Sequence, residues 1–258
     1  MTLDDKHYRA CITKRIDFSP DLWAIRIDPG VEFPFAPGQY ATLGVERDAR
    51  RRERPYSIVS SPHDRELEFF FELGPDGETT PPLYDLRVGD EVLVRKVPKG
   101  RFTLDTSHPL RKNHLLVCTV TGVAPFVSYA RTLFKDWNEG RFAGDQNLFL
   151  LNAASLSWEF GYREELERVE ARVPWFTYVP TVSRPWEDGT WKGEVGRADD
   201  LLRKYADRWG LNGQNSIAYL CGHPEMIERC KGILKRIGFQ KEHLREEIYW
   251  VPAKAAAV

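Results

Sequence analysis

The chain has little with which to build a metal or iron–sulfur centre. Its four cysteines, Cys11, Cys118, Cys221 and Cys230, include no close pair at ligand spacing. Three of them lie in apolar strand-like or helical runs, where a free thiol acts as a small hydrophobe, as expected of a reduced, cytoplasmic protein. Redox chemistry would therefore need a bound organic group. Excess charge is also missing: 37 basic residues face 38 acidic ones, which excludes a general binder of nucleic acid or membrane surfaces. No run approaches the ~18 apolar residues of a membrane span, and the polar, acidic start Met1–Lys6 is unlike a secretory signal. There is no G-x-S-x-G elbow and no G-x-G-x-x-G fingerprint. His223 has no second histidine nearby with which to form a metal pair.

What is present suffices for a sizeable core: 42% of the 258 residues are hydrophobic and 12% aromatic. The pattern changes near residue 107. Residues 1–107 read as short strands, His7–Arg15, Leu22–Asp28, Ala41–Val45, Glu66–Glu72 and Glu91–Val97, separated by turns such as Ser19-Pro20-Asp21 and Asp28-Pro29-Gly30. Strands this short and frequent predict a small antiparallel β-barrel. Residues 108–258 alternate instead. Strand runs at 114–120, 147–153, 176–182 and 216–221 are followed by helical patterns at 125–137, 161–173, 198–209 and 224–237. That alternation predicts an α/β domain with a parallel sheet covered on both faces, and ligands at the carboxyl ends of its strands.

In the first half, Arg54-Pro55-Tyr56-Ser57 places a fixed cation, a ring and a hydroxyl within four residues. Strand alternation sends Arg54 and Tyr56 to one face. The set suits a ligand with an anionic group and a flat heteroaromatic; it equally fits an ordinary strand with an exposed arginine and a packed tyrosine. Further on, Gly74-Pro75-Asp76-Gly77-Glu78-Thr79-Thr80-Pro81-Pro82 is a turn that opens a short helix, with Thr79 or Thr80 as N-cap. Free N–H groups at such an end can hold a phosphate, although capped surface helices are common. Two basic clusters, Arg47–Arg54 and Arg95–Arg101, stand out because residues 1–107 as a whole carry 16 basic against 19 acidic residues, so the cations are concentrated locally. Such patches can steer an acidic partner or simply be solvated.

In the second half, two strand ends have ligand-facing character. Thr119-Val120-Thr121-Gly122-Val123-Ala124-Pro125 follows the first strand, and Cys221-Gly222-His223-Pro224 follows the last. Small residues let a backbone approach a pyrophosphate, and proline starts the helix behind each turn. Either turn alone is no more than a connection.

Taken together, these pieces resemble the bacterial ferredoxin/flavodoxin–NADP reductases over nearly the whole chain. The resemblance rests on Gly38-Gln39-Tyr40, Arg54-x-Tyr56-Ser57, Pro75-Asp76-Gly77 with Thr80, Val88-Gly89-Asp90-Glu91, Thr121-Gly122-x-Ala124-Pro125-Phe126, Cys221-Gly222-x-Pro224 and Tyr249-Trp250. It implies an FAD-binding barrel (1–107), an NAD(P)-binding domain (108–258), and hydride passage between nicotinamide and flavin N5. Arg54, Pro55, Tyr56, Ser57, Phe70, Glu78, Thr79, Thr80, Thr121, Tyr249 and Trp250 are the implied FAD contacts. Gly122, Ala154, Ser155, Ser183, Arg184, Glu194 and Gly222 are the implied NADP or NAD contacts. Ser57, Cys221 and Tyr249 would stand nearest the reacting atoms. The implied partner is an acidic ferredoxin or flavodoxin docking near Arg50–Arg52 and Lys96–Arg101, with the reductase acting as a monomer. Other members of this chemistry remain open: an oxygenase reductase component, a flavin or ferric reductase, or a non-catalytic nucleotide-binding module, which would need neither Ser57 nor the aromatic pair.

The chain departs from the family pattern in three places. Val120 stands where a glycine is usual, and a β-branched residue restricts the backbone there. Ser155 and Glu194 replace two arginines that grip the 2′-phosphate of NADP, leaving Arg184 and a nearby Lys192. A carboxylate repels a 2′-phosphate yet accepts a hydrogen bond from a 2′-hydroxyl, so NADH and NADPH are both open. An alanine-rich tail follows Trp250.

Overall fold

Period-two burial along β1 (His7–Asp17) turns Ala10 and Ile12 inward and Arg9, Cys11 and Thr13 outward. In the structure, a computed structural model that describes residues 6–47, 50–74 and 79–249, five more strands join it: β2 (Leu22–Asp28), β3 (Tyr40–Arg47), β4 (Arg50–Ser57), β5 (Leu67–Glu72) and β6 (Glu91–Arg95). A one-turn helix, α1 (Thr80–Tyr84), precedes β6. The sheet is antiparallel in the order β4-β3-β6-β1-β2-β5. Its two edges meet just past β4, where Ile58 bridges Phe69 and the Val59 N–H donates to the Glu68 carbonyl at 2.8 Å. The sheet thus curls into the expected barrel around Trp23, Ile25, Leu43, Phe69, Phe71 and Val94.

The chain divides into two compact units, and the barrel's unit is not continuous: it comprises residues 1–104, 124–143 and 158–169. It therefore includes α2 (Ala124–Asn138) and nearly all of α3 (Arg163–Glu170). This explains why β5 is buried without alternation. Leu67, Phe69 and Phe71 enter the barrel core, while Glu68 and Phe70 face these later segments. Glu68, 1% exposed, accepts from Arg26 Nε at 2.7 Å, Tyr162 Oη at 2.7 Å and Arg131 Nη2 at 3.2 Å. Arg131 also holds Glu165 at 2.6 Å, and Ser128 Oγ donates to the Ser60 carbonyl at 2.7 Å.

The second unit (105–123, 144–157 and 170–258) holds β7 (Asn113–Thr119), β8 (Asn147–Ala154), β9 (Phe176–Val182), β10 (Glu194–Val195), β11 (Ser216–Gly222) and β12 (Leu244–Ile248). All neighbours are parallel, in the order β10-β9-β8-β7-β11-β12. Helices α4 (Ala198–Arg208) and α5 (Pro224–Arg236) share a core with the sheet through Leu202, Tyr205, Ile227 and Leu234. The order reverses between β7 and β11, which places a crevice at their carboxyl ends. Three elements differ from expectation. β10 and β12 are additional edge strands, too short or too polar to give an apolar run. α3 starts at Arg163 and stops at Glu170, because the backbone of Gly161 packs on the Phe70 ring and Pro174 disfavours helix before it. No helix among the described residues is long and apolar enough to cross a membrane.

Candidate functional site

The end of β4 forms the first neighbourhood. β4 is an edge strand, so Pro55 removes no needed donor. Arg54 lies opposite Leu43 and Tyr56 opposite Ala41, so the two share one face of the strand. Tyr56 packs half-buried with its ring centroid 4.8 Å from Phe71, and burial pushes its phenol up despite the pull of Arg54, keeping it neutral. Ser57 is buried, opposite Tyr40, and the next residue's N–H donates to the Gln39 carbonyl at 3.0 Å. Arg54 is exposed and has no ion pair or hydrogen bond with a described residue. The strand therefore delivers a solvated cation, a fixed ring and a fixed hydroxyl in sequence.

The surrounding cations are mostly answered. Arg51 meets Glu46 at 2.7 Å, Arg95 meets Glu53 at 2.5 Å, and Arg9 bridges Glu46 and Glu91 at 3.3 Å each. Lys96 sits 5.3 Å above the Tyr8 ring. Arg50, Lys99 and Arg101 are exposed without an ion pair to a described residue. Phe70 is 4% exposed, in an aromatic cluster with Phe18 and Tyr162. Thr79 is buried and makes no side-chain cap, while Thr80 Oγ1 bonds the Gly74 backbone. Glu78, Trp250 and the tail lie outside the described residues.

The second neighbourhood is the crevice at β7 and β11, where two backbones nearly touch. A Cβ at Gly122 would lie 2.5 Å from the Cys221 carbonyl oxygen, and one at Gly222 would lie 2.4 Å from Thr119 Oγ1. Gly222 also sits at φ +122°, a region that favours glycine. Thr119 Oγ1 accepts the His223 N–H at 3.0 Å, and His223 Nδ1 caps α5 by accepting from the Glu225 N–H at 3.2 Å. Val120, in the turn with Thr121, takes φ +43°, an unusual conformation for a β-branched residue. Cys221 is fully buried; burial pushes its thiol well up, Glu247 adds to this, and a hydrogen bond with half-exposed Tyr249 opposes it. Burial thus favours the neutral thiol over the thiolate.

The rim of β8, β9 and β10 is the third. Ser183 and Arg184 donate their N–H groups to the Ala154 and Ser155 carbonyls, both at 3.0 Å, which ties these strand ends together. Arg184 is exposed, 3.7 Å from Glu187. Glu194 pairs in register with Thr181, and its side chain accepts from Lys204 Nζ and Tyr205 Oη, each at 2.5 Å. Lys204 first and then Tyr205 hold the carboxyl below its usual range, while burial and Glu194 push the Tyr205 phenol up to about 12. Lys192 only approaches the Gly189 carbonyl, at 3.4 Å.

Sequence reasoning missed Lys204 and Tyr205, which sit a helix away from Glu194 without a motif to mark them. It also gave no role of their own to Thr119 and Glu68. A polar residue ending an apolar strand, and a lone charge in Leu67-Glu68-Phe69-Phe70-Phe71, were the available signals.

Comparison with known proteins bears on the chain as a whole. The family model for an oxidoreductase NAD-binding domain matches residues 116–232. A flavodoxin/ferredoxin–NADP reductase of Shigella flexneri is 32% identical over 218 residues, 84% of this chain and 85% of that one. The ferredoxin–NAD(P)+ reductase component of the naphthalene 1,2-dioxygenase system of Pseudomonas putida is 30% identical over 235 residues, 89% of this chain and 65% of that one. Among solved structures, a ferredoxin NADP+ reductase from Neisseria gonorrhoeae with bound FAD and NADP superimposes with a TM-score of 0.82 at 23% identity, covering 96% of this chain and 100% of that one.

Proposed function

Because the chain belongs to the flavodoxin/ferredoxin–NADP reductase family, we propose that it is an FAD-dependent oxidoreductase moving electrons between NAD(P)H and a small acidic carrier, a ferredoxin or flavodoxin. The observation that carries this reading is Arg54, exposed and without a described partner, beside the fixed Tyr56 ring and the Ser57 hydroxyl. That donor set fits FAD: Arg54 would answer the diphosphate, Tyr56 would lie along the isoalloxazine, and Ser57 would offer its hydroxyl near N5. Bound FAD supplies the change from two-electron to one-electron transfer. The chain's own part is placement, since proximity and orientation supply much of the rate.

In this reading residues 1–107 bind the flavin, with Glu78, Thr79, Thr80, Tyr249 and Trp250 contributing, and residues 108–258 bind the nicotinamide nucleotide. Gly122 and Gly222 would let the nucleotide's diphosphate approach, and Cys221 would stand near the nicotinamide. The basic clusters receive the carrier, through Arg50, Lys99 and Arg101 most directly. The protein works as a monomer in the cytoplasm.

The test is a visible spectrum of the purified protein, followed by anaerobic reduction with NADH or NADPH and addition of ferredoxins and flavodoxins. A yellow protein that bleaches and then passes electrons on supports the proposal; a colourless one overturns it. A second reading, the reductase of an oxygenase system, is favoured by the likeness to the naphthalene dioxygenase component. With no iron–sulfur cysteine spacing in its sequence, the chain would then need a separate ferredoxin.

A further inference from the structure

We infer that Lys204 is a latent 2′-phosphate ligand masked by Glu194, and that this pair, not Lys192, sets which nicotinamide nucleotide the chain prefers. The inference rests on the proposed binding of such a nucleotide at the carboxyl rim of the parallel sheet.

Glu194 is held from both ends. Its backbone pairs with the end of β9, and the Trp191 indole N–H donates to its carbonyl at 2.8 Å. Its Oε2 takes Lys204 Nζ and Tyr205 Oη, each at 2.5 Å, whereas Oε1 takes one backbone N–H, from Val195, at 3.2 Å. A carboxylate oxygen has two acceptor sites, so Oε1 keeps capacity for a ribose hydroxyl. The ammonium that would answer a phosphate is spent on Oε2. The pair is neutral in sum and selects the unphosphorylated ribose by hydrogen bonding. Lys204 is still half-exposed, with its ammonium 5.2 Å above the Tyr205 ring. Once the carboxylate charge is gone, a cation and a phenolic donor stand together at the rim, a donor set that suits a phosphate. Lys192, by contrast, is anchored among the described residues by nothing stronger than a backbone carbonyl at 3.4 Å.

The experiment measures equilibrium binding of 5′-ADP and 2′,5′-ADP to the purified full chain and to Glu194→Gln, Lys204→Met and the double variant. Glu194→Gln should improve the preference for 2′,5′-ADP by about tenfold, the scale of one charge-assisted hydrogen bond. The double variant should lose that gain, and Lys204→Met alone should weaken 2′,5′-ADP by leaving the carboxylate bare. No gain in Glu194→Gln, or a gain that survives removal of Lys204, overturns the inference while leaving the nucleotide site intact. Failure of the unaltered protein to bind either probe removes the site itself, and the inference with it.

Discussion

The strand end at Arg54–Ser57 and the rim around Glu194 are both proposed to meet a ligand, but their polar groups are in opposite states. At β4 the groups come from four consecutive residues, and the cation meets no described partner. At the rim they come from β8, β9, β10 and α4, and the charges are already joined, Glu194 to Lys204 and Arg184 to Glu187. An open site loses affinity when its charge is removed. A balanced site changes preference, because deleting one charge uncovers the other. The crevice at β7 and β11 belongs to neither type, since backbone shape rather than charge defines it.

The most severe way to break the comparison is at Glu68, where balanced charge serves the fold alone. Glu68→Ala removes the buried carboxylate shared by Arg131, Arg26 and Tyr162 and should cost about 3–5 kcal/mol in denaturant unfolding. The pH dependence follows from the same site. Burial favours a raised Glu68 pKa, but Arg131, Tyr162 and Arg26 outweigh it, so the carboxyl titrates below its unfolded value. Its stabilisation is then complete above the ordinary carboxylate range and fades as pH drops below about 4. Glu68→Gln should flatten that part of the acid-unfolding curve; an unchanged curve would assign the acid sensitivity elsewhere.

Next in size is Gly122→Ala, whose methyl group meets the Cys221 carbonyl. It should lower stability by about 1–3 kcal/mol and impair nucleotide binding more than flavin retention. Equal loss of both ligands would erase the distinction between shape and charge. Arg54→Ala should weaken flavin binding by about 1.5–3 kcal/mol, as expected for a charged hydrogen bond. Its unfolding free energy should stay within roughly 0.5 kcal/mol of the parent. A large stability loss would show that Arg54 is structural. The smallest effect is at Val120→Gly, which releases a positive φ and should raise stability by about 1 kcal/mol after the entropy of glycine is counted. A lower melting temperature would mean that the packing of Val120 outweighs its strain.

These contrasts explain what the sequence could reveal. Strands with a buried and a solvated face, such as β1, announce themselves by period, and the continuous runs of β7 and β11 by length. β10 and β12 escape because edge strands need no apolar run. Arg54-Pro55-Tyr56-Ser57 is legible because its parts are adjacent in the chain. The union of Glu194 with Lys204 and Tyr205 is not, since it depends on α4 lying beside β10. Spacing put Gly122 and Gly222 in turns at strand ends, but only coordinates show that each abuts the other loop. The basic clusters were visible as counts, whereas their cross-strand answers in Glu46, Glu53 and Glu91 required the register.

Glu68 has one more consequence, in time. It meets Arg131 63 residues further along and Tyr162 94 residues further along. During synthesis at ~5–20 residues per second, β5 leaves the ribosome roughly 5–20 s before its last partner exists. Through that interval the nascent barrel carries a carboxylate with no neutralising cation from α2, and the outer face of Phe70 lacks Tyr162. A fragment ending near residue 107 therefore reproduces this waiting intermediate, and it should be the stage at which a chaperone is most needed.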